Sequence, residues 1–192
     1  DTITRTENDE WFANYYDDVY QVTQALSIDA FHNMNVYTAD LYANGLAGFA
    51  FFANSFPAGD YRFSVNLDYR EIAYGNDTFT HEVGHHLNLR HTFSASCGVD
   101  GDGISDTPRH LDSELWTCND NLDSCPNDDG NDPVHNYMTY TNSSCQYEFT
   151  IGQEDNLHYA IETYHYGYLE NNFGAPNLYV DALSFEEDTD ED

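Results

Sequence analysis

His81-Glu82-Val83-Gly84-His85-His86-Leu87-Asn88-Leu89-Arg90-His91 is the stretch on which the fold turns. On a helix, His81 and His85 are one turn apart and aim two imidazoles at a common point. Glu82 stands beside them, within reach of a water held there. Two neutral imidazoles and a third ligand leave a zinc ion one open position for that water. The third imidazole is His91, but six more helical residues rotate about 600° and would place it on the wrong face. The chain must therefore leave the helix between His85 and His91. Asn88 sits where that exit is needed, and Asn tolerates positive φ second only to Gly. His86 points about 100° away from His85 and is expected to pack or to face solvent.

Upstream, Glu10 to Ile28 places Trp11, Tyr15, Val19, Val22 and Leu26 at near-helical spacing. Residues 35–38 and 46–52 read as strands, with Gly45 and Gly48 permitting a turn or bulge. Residues 61–68 alternate apolar with polar, the pattern of a half-buried strand. Phe79 to Leu89 is predicted as the helix that carries the histidines, capped by Asp77 or Thr78. Beyond residue 91, Gly, Asp, Asn, Ser and Pro dominate as far as Pro133, and one helix returns at Gly152 to Leu169. Residues 184–192 read as a solvated acidic tail.

The chain has 192 residues, enough for one domain with a real core. It carries 35 acidic residues against five Arg and no Lys, a formal net charge of −30. That balance excludes a basic face for nucleic acid and disfavours anionic membranes. The longest apolar run, Leu46 to Ala53, is too short to span a bilayer. A charge this large calls for bound calcium, salt or low pH to relieve self-repulsion, and a saline or calcium-rich setting is the reading taken. The negative surface should attract cationic substrates at long range. Residue 1 is Asp rather than Met, which suggests a processed or excised product.

Cys97, Cys118, Cys125 and Cys145 contain no close CxxC pair, so two disulfides and an oxidising compartment are the better reading than a thiolate zinc site. Spacing alone leaves three connectivities open. Two glycosylation sequons, at Asn76 and Asn142, fit secretion. The alternating Asp and Gly of Asp100 to Thr107 suit a hard cation that takes six to eight oxygens. A second oxygen-rich run, 127–132, is a weaker candidate for another ion.

HExxHxxNxxH resembles the metzincin zinc motif HExxHxxGxxH, with Asn88 in place of its Gly. Asn136-Tyr137-Met138-Thr139-Tyr140 resembles the Met-turn of that clan. With Asp106-Thr107-Pro108, Pro133 to Met138 and Phe149-Thr150-Ile151-Gly152-Gln153 in this order, the series is similar to the pappalysin (ulilysin-like) family over roughly Met34 to Leu169. His86 stands where other members often carry Trp. Ser143 stands where an Arg-preferring relative has an acidic residue, so that preference is not implied.

The resemblance implies an α+β metzincin catalytic domain. A twisted mixed sheet with backing helices (about 1–91) would lie above an active-site cleft. A loop-rich, disulfide-bonded lower subdomain (about 92–182) would lie below it, followed by the tail 183–192. It further implies a secreted, monomeric zinc endopeptidase acting on protein or peptide substrates. His81, His85 and His91 would hold zinc, Glu82 would be the general base, and Tyr140 would stabilise the oxyanion. Met138 would floor the metal site. Disulfides Cys97–Cys125 and Cys118–Cys145 would brace the lower half. Calcium would sit on Asp102, the Ser105 carbonyl and Thr107, with Asp100 or Asp106 as further candidates. The competing reading is an inactive extracellular binding module that keeps zinc and calcium; intact Glu82 and Tyr140 argue against it.

Overall fold

The computed structural model describes residues 4–74, 76–98, 100–111 and 118–170. The acidic tail lies outside them. The region expected as one N-terminal helix forms two, α1 (Asp9–Ala13) and α2 (Tyr15–Leu26). Asn14 divides them: its backbone leaves helical geometry at φ −114° and ψ 23°, and its side-chain amide donates to Glu10 O. Asn8 starts α1 by accepting from Trp11 N at 3.0 Å.

Helix α2 lays Tyr15, Val19, Val22 and Thr23 on a three-stranded sheet of order β1 (Asn35–Ala39), β3 (Ser64–Asp68), β2 (Gly48–Ala50). Strands β1 and β3 run parallel, with Asn35 opposite Ser64 and Ala39 opposite Asp68. Strand β2 runs antiparallel to β3 on the other side, with Gly48 opposite Leu67. This is the mixed sheet with an antiparallel edge strand that the resemblance implied. Tyr15, Val19, Val22, Ala39 and Leu41 form the apolar cluster under α2, with Trp11, Tyr37, Phe49 and Phe51 packed against it.

Alternation in β3 suggested one wet face, and the structure corrects this: all five of its residues are buried. The polar ones are paired instead of solvated. Tyr15 Oη donates to Asn66 Oδ1 at 2.6 Å, and Asn66 Nδ2 donates to Phe49 O. Asp68, fully buried, accepts from the backbone of Leu41, Tyr42 and Arg70 and from the Arg70 guanidinium. These donors hold its carboxyl well below the usual carboxylate range, despite the opposing effect of burial. A period of two marks which side a residue faces, and says nothing of what covers that side.

Below the sheet come α3 (Tyr69–Tyr74) and α4 (Thr78–His86), the latter packed against β2 and β3. Between α4 and the next helix, the regular structure among the described residues is one 3₁₀ turn, Ser143–Cys145. Disulfides Cys97–Cys125 and Cys118–Cys145 cross this region. Helix α5 (Ile151–Tyr164) opens with a capping box between Thr150 and Gln153. The single helix expected for 152–169 breaks at His165, and a 3₁₀ segment, Tyr166–Glu170, follows. His165 is buried against Phe63 and stacks on both His86 and Tyr168. His86 thus packs in the core, with Nε2 3.0 Å from Tyr168 Oη.

Candidate metal centre and active-site cleft

Helix α4 ends as the spacing of its histidines demands. Asn88 has φ +75°. Its N–H donates to His85 O at 2.9 Å, and Leu89 N–H donates to Gly84 O at 2.8 Å. That is a Schellman motif with Asn at the left-handed position, and Leu89 is buried behind it. The reversal brings His91 back: its Nε2 lies 3.1 Å from His81 Nε2 and 3.0 Å from His85 Nε2.

Both helical imidazoles are held from behind. His81 Nδ1 is 2.7 Å from Tyr137 O, and His85 Nδ1 is 2.7 Å from Leu89 O. A carbonyl can only accept, so each Nδ1 carries the proton and each Nε2 presents a lone pair. Burial, with the neighbouring rings in support, pushes His81 down to about 4 and His91 down to about 3; His85 is lowered as well, by burial. Neutral imidazoles are what a metal takes. Ligands about 2.05 Å from a tetrahedral ion stand roughly 3.3 Å apart, so the spacing fits zinc to within a few tenths of an ångström. Among the described residues, this is the one His, Cys, Asp and Glu group arranged to hold an ion.

Met138 is fully buried beneath the centre. Asn136 Oδ1 accepts from Met138 N, and Asn136 exchanges amide hydrogen bonds with Gln153, which is also fully buried. Gln153 therefore anchors the turn whose Tyr137 carbonyl orients His81. Sequence reading quoted Gln153 within a motif and assigned it no role; its capping position on α5 was the available signal. Thr92 N–H donates to Met138 O at 3.1 Å, which ties the His91 segment to the same turn.

Gly84 has a packing reason. A Cβ there would land on Met138 Sδ, far inside van der Waals contact. Gly84→Ala gains about 1 kcal/mol of helix propensity but overpacks a closed site at a typical cost of about 1–3 kcal/mol. The expected net result is destabilisation, read as a melting temperature lowered by a few degrees. A higher melting temperature would show that Met138 yields freely.

Glu82 is buried at 5% exposure, and its Oε2 has no hydrogen-bond partner in the protein. Burial pushes its carboxyl up to about 8. Gly48 of β2 makes its place: a Cβ there would come 2.8 Å from Glu82 Cγ. The edge strand can approach the helix only because position 48 has no side chain, a role beyond the turn or bulge read from the sequence. Glu82, the three histidines, β2 and Tyr140 line one cleft of about 880 Å³. The Tyr140 ring is 4.7 Å from that of His91 and 5.8 Å from that of His81.

The acidic stretch after His91 divides in two. Asp102 is buried, and its Oδ1 accepts from Ile104 N. Burial raises its carboxyl to about 6, against the lowering effect of the Thr107 side chain beside it. Thr107 is likewise buried, while Asp100 is exposed. Asp106 is committed elsewhere: it accepts from Thr150 Oγ1 and Gly152 N, both at 2.8 Å, and so clamps the start of α5. In the second run, Asp128 pairs with Arg109, and Asp132 accepts from Ser124.

A mixed sheet over a cleft, a helix that surrenders its third histidine through a left-handed residue, and a buried methionine below define a disulfide-bonded α+β domain of the metzincin class. Residues 14–162 match the peptidase M43 family, described as pregnancy-associated plasma protein-A, and the chain belongs to that family. It is 35% identical over 171 residues to an extracellular metalloprotease of Verticillium alfalfae, covering 83% of this chain and 59% of that protein. An extracellular metalloprotease of Pyricularia oryzae is 35% identical over 161 residues, covering 78% and 54%. Among solved structures, Tannerella forsythia mature mirolysin in complex with a cleaved peptide superposes with a TM-score of 0.60 at 28% identity, covering 73% of this chain and 57% of that one. The chain thus spans a little over half the length of the relatives it matches. No helix among the described residues is long and apolar enough to cross a membrane.

Proposed function

We propose that this chain is the catalytic domain of a secreted zinc endopeptidase that cleaves extended peptide segments. One observation carries the reading: the Nε2 of His91 lies 3.1 and 3.0 Å from those of His81 and His85, beside a buried carboxyl whose Oε2 has no partner, in a single cleft. The similarity to extracellular metalloproteases and to mirolysin, whose structure holds a cleaved peptide, supports it.

Zinc, when bound by His81, His85 and His91, supplies Lewis acidity and brings the pKa of a water down to about 7. Glu82 accepts that water's proton at its carboxylate and returns it to the leaving amine nitrogen. The Tyr140 hydroxyl donates to the scissile carbonyl oxygen as negative charge develops there. Among the described residues, strand β2 pairs with β3 along one edge alone, and its outer edge along the cleft offers N–H and C=O groups to a peptide lying alongside. Met138 and Gln153 act behind these groups by fixing the turn.

Calcium is assigned to the loop containing Asp102, the Ser105 carbonyl and Thr107. The burial of the Asp102 and Thr107 side chains next to one another in that loop supports the placement, and the engagement of Asp106 with α5 argues for leaving it out of the ligand set.

Metal analysis joined to a peptide-cleavage assay tests the reading. The expected result is one zinc per chain, cleavage abolished by a chelator, and cleavage restored by zinc. Calcium counted in the same sample tests the second site. Cleavage that survives complete metal removal would overturn the proposal.

A further inference from the structure

The chain carries 35 acidic residues and five Arg. Arg62, Arg70 and Arg109 are spent on ion pairs with Asp60, with Asp68 and Asp40, and with Asp128. Arg90 is placed differently. It is exposed, makes no ion pair with a described residue, and lines the cleft one residue before His91. Among the described residues of the cleft wall, the charged side chains are Glu82 and Arg90. Acids crowd the rest of the chain, yet the wall holds the one carboxylate that the chemistry uses. Glu82 is buried and Arg90 is exposed, so the charged group that the described cleft wall presents outward is a guanidinium.

We propose that Arg90 is a specificity-determining residue that receives a substrate's carboxylate side chain, so that the enzyme favours Glu or Asp near the scissile bond. This rests on the peptidase reading above. A guanidinium offers a planar fork of donors to a carboxylate, and Ser94, exposed on the same wall, adds a hydroxyl. Zinc would add positive charge to the same space. The long-range preference for cations expected from net charge is screened within about 10 Å at 0.1 M salt, whereas a contact pair in a cleft is screened far less. At working ionic strength the local charge sets the choice.

The test scans a Glu/Gln pair of otherwise identical peptides through each position around the cleaved bond, in about 0.2 M salt, using the zinc-loaded protein. At one position the Glu peptide should have a kcat/KM about tenfold to a hundredfold above its Gln twin, the range of a charge-assisted hydrogen bond. Arg90→Gln should bring that ratio to near one, and Arg90→Glu should invert it, so that the Gln peptide is cleaved faster than its Glu twin. Peptide affinities measured in the non-cleaving Glu82→Gln background should show the same discrimination, so the readout does not depend on turnover alone. Cleavage with a ratio unchanged by either substitution would overturn the role of Arg90 and leave the peptidase reading intact. No cleavage of any peptide would overturn both.

Discussion

Glu82→Gln should keep its metal and lose between about two and four orders of magnitude in kcat, the usual contribution of a positioned general base. The substitution preserves the volume that Gly48 leaves open against the side chain and removes the ability to accept a proton. Ala serves the same test less cleanly, because it also opens a cavity beneath β2. Folding should not suffer. The native carboxyl is buried with one oxygen unpartnered and its pKa raised by burial to about 8, so the metal-free protein gains nothing from its charge. The expected signature is wild-type zinc content, an unchanged or higher melting temperature, and collapsed turnover. A Gln variant that cleaves within tenfold of the parent would remove Glu82 from the mechanism.

The second large effect concerns the disulfides. Cys97–Cys125 and Cys118–Cys145 close loops with sequence separations of 28 and 27. In the chain-entropy view each is worth about 3–4 kcal/mol, against a typical total of about 5–15 kcal/mol for a domain. Among the described residues, few regular elements lie between α4 and α5 to share that task. Replacing either pair with Ser should lower the melting temperature by roughly 6–15 °C. The Cys118–Cys145 variant should also lose activity, because Cys145 ends the 3₁₀ turn that follows Tyr140 and closes this side of the cleft. A shift under 2 °C for both would mean that the lower half is held by its buried hydrogen bonds, such as those of Asp132 and Gln153.

Legibility differed by the range of the forces involved. The exit of α4 was readable because it is local: His81, His85 and His91 cannot meet unless the backbone turns near residue 88, and few residues other than Asn or Gly turn that way at low cost. The β3 segment misled because its polar residues are satisfied in large part by Tyr15, Leu41 and Tyr42, partners brought from elsewhere in the chain. Asp106, one of the further candidates for an ion, also anchors a helix that starts more than forty residues later, a contact that composition does not reveal.

By itself, then, the sequence determined the histidine triad, the place where the helix must end, the oxidised cysteines and the sign of the overall charge, since each follows from residue type and short-range geometry. Tertiary structure alone decided why residues 48 and 84 must be glycine, that Gln153 holds the turn under His81, and that Arg90 opens onto the cleft. Those are meetings of atoms distant along the chain, and packing in three dimensions sets them.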